Sequence, residues 1–283
     1  MATLPSWGES MRKRHYVSNG RASLFVETMG SGDPVVFLHA AICDRTMWSA
    51  QMAAVAVTNT AIAYDRRGHG NTRADIEHYS AVADLVAVLD ALADGKRVIL
   101  VGCSQGARVA LDATLLHPSR VSGLVLIAPT VPGAGAPDYS PAIGALMAQL
   151  QEAEMQGQQD RINDLKARLF LDGPGAAAGR VSGLARQQFL KMNGAILRSP
   201  YGGTSTDDLA TFLRLGDIQV PALVMWGAYD FPHIQARSRQ VATLLADGIG
   251  EELAGSAHLP SLDNPAELAA RLIAFIARVG AGK

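Results

Sequence analysis

Residues 98–116 read VILVGCSQGARVALDATLL, and this stretch constrains the fold more than any other. Its first four residues are wholly apolar, as in a short strand buried on both faces of a parallel sheet. Residues 105–116 read as a helix, closed by His117-Pro118. Between the two lies Gly102-Cys103-Ser104-Gln105-Gly106. A chain that leaves a strand and enters a helix within so few residues must turn sharply, and glycines on either side leave room for strand and helix to approach. The serine between them is presented at the sheet edge. It sits beside the free amides and the positive dipole end of the new helix.

The same alternation runs through much of the chain. Strands are predicted at 22–27, 35–39, 60–64, 98–101, 121–128 and 222–226, and helices at 81–92, 105–116, 234–245 and 264–279. The turn signal MGSGDP separates the first two strands, and 60–64 runs into the glycine-rich DRRGHGNT. In 81–92, Val82, Leu85, Val86, Leu89 and Leu92 recur at helical spacing. Pro265 stands in the first turn of the last helix. The alternation implies an α/β fold with a mainly parallel sheet covered by helices on both faces. From about 131 to 215 no strand pattern is found. Helix-compatible patterns cover 142–155, 160–170 and 181–197, with GPGAAAG as a turn at 173–179. The expected organisation is a core of residues 1–130 and 216–283 carrying a helical cap of residues 131–215, the alternative being further helices of the same domain.

Composition excludes several classes. With 283 residues, 48% hydrophobic and 18% charged, the chain can build a large core. A net charge of −1 gives no basic footprint for nucleic acid. No apolar run reaches the roughly 18 residues needed to span a bilayer. The opening MATLPSWGESMRKRHY has no apolar stretch beside its basic cluster, so no secretory signal is expected. Cys43 and Cys103 cannot build a disulfide framework and match no zinc spacing. The expected compartment is a reducing cytoplasm.

A serine at such a turn becomes a nucleophile only with a base, and the base needs an acid to orient it. On a strand–turn–helix frame the acid and then the base follow later in the chain. ALVMWGAYD places Asp230 just past a strand, and ELAGSAHLP places His258 in the loop before the last helix. His233 competes as base, but it falls where the next helix starts and is read as a pocket residue. His39 and His69 are read as loop-fixing residues, and Asp65-Arg66-Arg67 as a loop-fixing ion pair rather than a substrate clamp. Pro129-Thr130, after the strand at 121–128, offers no other carboxylate. Cys103 is expected to pack in the core, because side chains alternate along a strand. Two backbone donors for a developing oxyanion are expected, the N–H of Gln105 and, from the loop His39-Ala40-Ala41, the N–H of Ala41.

Together these motifs resemble the α/β-hydrolase superfamily. FLHAA, YDRRGHGNT, VGCSQGA, HPSRVSGLVLIAP, VPALVMWGAYDFPH and GSAHLPSLDNP stand where that family places such motifs, over nearly the whole chain. The sequence is most similar to the group containing 3-oxoadipate enol-lactonases and small bacterial esterases. It departs from many members in having His-Ala-Ala where they have His-Gly after the third strand. The resemblance implies an α/β-hydrolase fold with a mainly parallel eight-stranded sheet, helices on both faces and a helical cap. It implies a Ser104, Asp230 and His258 triad, an oxyanion hole from Ala41 and Gln105, and acyl transfer with neither metal nor organic cofactor. The function expected is a serine hydrolase, an esterase or lactonase acting on a small to medium carboxylic ester or lactone. Carbon–carbon bond hydrolysis or perhydrolysis by the same triad, and a ligand receptor with vestigial hydrolysis, stay open as alternatives. Candidate pocket residues are Cys43, Met47, Trp48, Tyr139, Met147, Phe189, Met192, Phe231 and His233, a mostly apolar set. The only partner expected is the small-molecule substrate, without nucleic acid or membrane, for a monomer or homodimer.

Overall fold

The computed structural model describes residues 12–199 and 203–281. The ends of the expected core, 1–11 and 282–283, and residues 200–202 of the expected cap lie outside the described residues. Eight strands make the path of the central sheet: β1 (Lys13–Asn19), β2 (Ala22–Met29), β3 (Pro34–Leu38), β4 (Thr60–Tyr64), β5 (Val98–Cys103), β6 (Val121–Ile127), β7 (Ala222–Gly227) and β8 (Gly248–Leu253). Their order is β1-β2-β4-β3-β5-β6-β7-β8. β2 pairs antiparallel with β1 and β4, and every later pairing along the path is parallel. A two-residue strand, Arg73–Ala74, adds to β2 as a ninth.

β3, β5, β6 and β7 are buried at every residue, which is why they read as continuous apolar runs. Alternate residues feed two separate apolar clusters. Val35 and Phe37 point to one, and Val36 and Leu38 to the other. On the first face lie α1 (Ser49–Val55) and α9 (Pro265–Ala281), and on the second α2 (Ala81–Leu92) and α3 (Gln105–Leu116). α7 (Pro232–Leu244) follows β7, and α8 (Pro260–Asp263) is a single turn before α9. Ser80 starts α2, its hydroxyl accepting from the Ala83 N–H at 3.0 Å.

Between β6 and β7 lie α4 (Pro141–Met155), α5 (Gln159–Lys166) and α6 (Gly183–Arg198). α5 continues into a turn of wider, π-helical winding at Ala167–Asp172. The apolar faces of these helices join the first cluster through residues such as Ile143, Leu150, Leu169 and Phe189. The expectation of no strand in 131–215 is corrected in one place, because Thr204–Ser205 pairs with His78–Tyr79.

α3 lies against the strand ends closer than a side chain allows. A Cβ at Gly106 would overlap the backbone of Leu38, and one at Gly102 would overlap the backbone of Ala107. Gly106→Ala is therefore expected to destabilise the protein by about 1–3 kcal/mol or more, because backbone rather than a yielding side chain meets the new atom. Chemical denaturation measures this, and an unchanged midpoint would overturn the packing argument.

Candidate active site

Ser104 sits at φ 53°, ψ −114°, a backbone conformation rare for any residue with a Cβ. Strain of this kind costs about 1–3 kcal/mol and persists only where the surroundings enforce it. Here the Ser104 N–H donates to the Ile127 carbonyl at 2.8 Å. The Ser104 carbonyl accepts from the N–H groups of Ala107, Arg108 and Thr130 at 3.0–3.3 Å. The side chain makes no capping bond to α3, so the helix does not consume the hydroxyl. Ser104 Oγ lies 3.4 Å from Thr130 Oγ1, and in this rotamer it pairs with that hydroxyl rather than with an imidazole.

Asp230 and His258 come together from two loops at the ends of β7 and β8. A Cβ at Gly227 would overlap the carbonyls of Ser256 and Ala257, so glycine allows the loops to touch. The Tyr229 N–H donates to the Ser256 carbonyl at 2.9 Å, and the Asp230 N–H closes a turn on Gly227 at 3.1 Å. His258 Nδ1 then lies 2.8 Å from Asp230 Oδ2, while Oδ1 accepts from the Phe231 N–H at 2.7 Å. Both residues are only 3% exposed. The contact assigns the Nδ1 proton to the side facing the carboxylate and leaves Nε2 as an acceptor. Asp230 thus pairs with His258 and not with His233, whose Nδ1 is buried without a partner.

The turn at Ala167–Asp172 supplies a third support. The Phe170 carbonyl accepts from the His258 N–H at 3.2 Å, and the Phe170 ring stands edge-on to the imidazole at 5.2 Å. Arg180 ties the three segments together. It donates to the carbonyls of Leu171 and Asp172 in the turn, to the carbonyl of Gly255 in the histidine loop, and to Asp263 Oδ2 at 2.6 Å. The same Asp263 oxygen accepts from the Ala257 N–H, next to His258, at 2.7 Å. The guanidinium also lies 4.9 Å over the Tyr229 ring, next to Asp230. The buried thiol of Cys103 faces the His258 carbonyl at 3.6 Å, consistent with a packing role, and burial pushes its pKa up.

On the other side of Ser104, Ala41 and Gln105 line one cavity of about 590 Å³. Among the described residues, neither of their amides donates to a protein acceptor. His39 Nε2 accepts from the Arg66 N–H at 3.0 Å, and Nδ1 faces the Ala40 carbonyl at 2.8 Å, the loop-fixing part expected of it. His69 Nδ1 and Nε2 lie 2.9 Å from the carbonyls of Arg67 and Ala41, and the neutral ring donates to one of the two. Burial and the charge of Arg66 push its pKa down to about 4. The loop-fixing ion pairing expected of Asp65-Arg66-Arg67 is made with partners outside the motif. Asp65 pairs with Arg45 at 2.6 Å, and Arg67 with Asp84 at 2.8 Å.

Of the candidate pocket residues, Cys43, Met47, Trp48, Phe189, Met192 and Phe231 are buried in the first cluster, and Tyr139 and Met147 pack against it. Tyr139, Phe231 and His233 form a ring cluster with centroids 5.4–6.1 Å apart. Phe170, Thr130 and Arg180 were not singled out from the sequence. Arg180 reaches partners up to 83 residues away, which no local pattern encodes. Among the described residues no cluster of three His, Cys, Asp or Glu could hold a metal, and no helix is long and apolar enough to cross a membrane.

Arg180→Gln is expected to lower stability by about 1–3 kcal/mol, since it strands Asp263 and several carbonyls in a mostly buried site. Denaturant unfolding reads this, and a change within error would remove Arg180 as the tie between the loops. Arg66→Gln is expected to raise the His69 pKa from about 4 toward the ordinary imidazole value, because one of the two largest depressing influences is lost. Imidazole NMR titration gives the answer, and an unmoved His69 would show that burial alone sets it.

Residues 35–271 match the alpha/beta hydrolase family. The chain is similar to 2-(acetamidomethylene)succinate hydrolase of Mesorhizobium japonicum, with 29% identity over 160 residues, 54% of this chain. That match spans about half of the relative's length, 54%. Pimeloyl-acyl-carrier-protein methyl ester esterase of Edwardsiella ictaluri is 25% identical over 270 residues, 90% of this chain and 97% of the relative. Among solved structures, an N-acyl homoserine lactone degrading enzyme superposes with a TM-score of 0.70 at 27% identity, over 92% of this chain and 99% of the other. With this match along most of its length and this strand order, the chain belongs to the alpha/beta hydrolase family.

Proposed function

We propose that the protein is a serine hydrolase that cleaves a small to medium carboxylic ester or lactone through an acyl-enzyme on Ser104. The observation that carries this reading is the buried 2.8 Å contact between His258 Nδ1 and Asp230 Oδ2, set beside a strained serine whose hydroxyl caps nothing. In the first step the Ser104 hydroxyl turns from Thr130 to His258 and attacks the carbonyl, while Nε2 takes its proton. Such contacts often tighten only when substrate is present. Asp230 holds the imidazole in the required tautomer and stabilises its cation. The N–H groups of Gln105 and Ala41, which have no protein acceptor among the described residues, receive the oxyanion. Collapse expels the alcohol, protonated by His258, and leaves an ester on Ser104. Water then attacks with His258 again as base and releases the acid.

The segments α4–α6 serve in this reading as a cap over the reacting groups. The ring cluster of Tyr139, Phe231 and His233, with Phe170 against Phe231, makes an apolar wall suited to an uncharged part of the substrate. The similarity to a lactone degrading enzyme and to a methyl ester esterase supports acyl transfer to water as the reaction.

The test is intact-mass spectrometry after a fluorophosphonate probe, run beside hydrolysis of p-nitrophenyl esters and simple lactones. One adduct at Ser104 and sustained turnover are expected. Ser104→Ala should cost up to roughly 10⁶-fold in turnover and Asp230→Asn about 10⁴-fold, the scale found for unrelated serine hydrolases. A folded Ser104→Ala variant with near-normal turnover would overturn the mechanism.

A further inference from the structure

Three arginines are buried among the described residues: Arg45, Arg66 and Arg67. Arg45 is neutralised by Glu27 at 3.1 Å and Asp65 at 2.6 Å. Arg67 is neutralised by Asp84 at 2.8 Å and by Glu77. Arg66 meets no carboxylate among the described residues. Its guanidinium donates to Gln105 Oε1 at 2.9 Å and to the His39 carbonyl at 3.0 Å, and its Nε is buried with no partner at all. Leaving one charge of a kind unpaired in the interior is strongly unfavourable, and a chain that neutralises two of three neighbouring arginines has left the third for something else.

Arg66 lines the cavity of about 590 Å³ that also has Ala41 and Gln105 in its wall. Arg108, Tyr79 and His69 contribute further to that wall, and among the described residues no Asp or Glu does. Arg108 donates to the Asp207 carbonyl at 2.6 Å and shares Asp112 at 3.5 Å, with about a third of its side chain exposed. His69, with its pKa near 4, adds no charge at neutral pH. Gln105 Oε1 and the His39 carbonyl accept from the two terminal nitrogens of Arg66, one of which also lies 3.4 Å from His39 Nδ1, and with Nε closed off the second hydrogens of those nitrogens are the donors left for a carboxylate.

We propose that this cavity binds a carboxylate carried by the substrate, with Arg66 as its cation and Arg108 at its rim. The inference rests on the serine hydrolase reading and narrows it to half-esters, or to lactones bearing an acid group. In this proposal one small molecule offers its carbonyl to the donors at Ala41 and Gln105 and its carboxylate to Arg66, because all three residues line the same cavity and Gln105 follows Ser104 directly in the chain. The competing account makes Arg66 only a brace between the β3 loop and the start of α3. A brace would serve charged and uncharged substrates alike.

The experiment compares kcat/KM for the monomethyl and dimethyl esters of succinate, glutarate and adipate. It uses the native protein, Arg66→Gln and Arg108→Gln, with fluorophosphonate labelling of Ser104 run on each. The native protein should favour at least one monoester over its diester by about tenfold or more, the scale of a charge-assisted hydrogen bond. Arg66→Gln should lose that preference, through a fall on the monoester about 10- to 100-fold larger than on the diester. Arg108→Gln, at the rim, should reduce the preference and carries the test if Arg66→Gln does not fold. No monoester preference, or equal losses on both esters, with Ser104 still labelled, would overturn the carboxylate site and leave the hydrolase reading standing. Absence of labelling and turnover would overturn the hydrolase reading instead. Calorimetric titration with glutarate then decides the site. Binding that weakens tenfold or more in Arg66→Gln upholds it, and no binding at millimolar glutarate overturns it.

Discussion

The close approach of α3 to the ends of β3 and β5 is the constraint on which the rest of the molecule depends. Gly102 and Gly106 permit it, since a Cβ at either would overlap backbone. The approach forces the chain through the Ser104 turn, and four backbone hydrogen bonds hold that turn at its positive φ. It also brings the first amide of α3 beside the loop that follows β3, so that Gln105 and Ala41 share one cavity wall. The energy that sustains this strain is the burial of β3, β5, β6 and β7, where every residue is buried.

Around that turn the polar groups are arranged on two sides, each organised by a guanidinium. On one side Arg180 joins the Ala167–Asp172 turn, the histidine loop and the segment before Asp230, and its charge is met by Asp263. On the other, Arg66 joins the β3 loop to α3 through neutral acceptors, and its charge meets no carboxylate among the described residues. The neighbouring loops hold their charge in closed pairs, Arg45 with Asp65 and Glu27, and Arg67 with Asp84 and Glu77. Burial pushes the Asp65 pKa up to about 6 despite Arg45. Against that background the open charge of Arg66 is the exception that a ligand can explain.

Much of this architecture was legible in the residues themselves. Central strands announce themselves because burial on both faces favours apolar side chains, as in VILV and LVLI. The edge strands did not. β1 reads KRHYVSN because one of its faces meets solvent, and β8 reads GIGEEL, which looks like a turn. Its glycines answer to packing, since a Cβ at Gly248 would overlap the Ala242 carbonyl and one at Gly250 would press on Trp226. The pairing of His78–Tyr79 with Thr204–Ser205 is two residues long, too short for any period to show.

By itself the sequence determined the alternation of strands and helices, the turn that carries Ser104, and the chain order in which Asp230 and His258 follow. These are written in local pattern, because backbone period and turn geometry act over a few residues. The tertiary structure alone decided that Asp230 pairs with His258 rather than His233, that Phe170 and Arg180 from a distant segment brace the histidine loop, and that Arg66 is the buried arginine without a carboxylate among the described residues. Charge pairing and desolvation depend on distance in space and on the exclusion of water, and neither quantity is local in the chain.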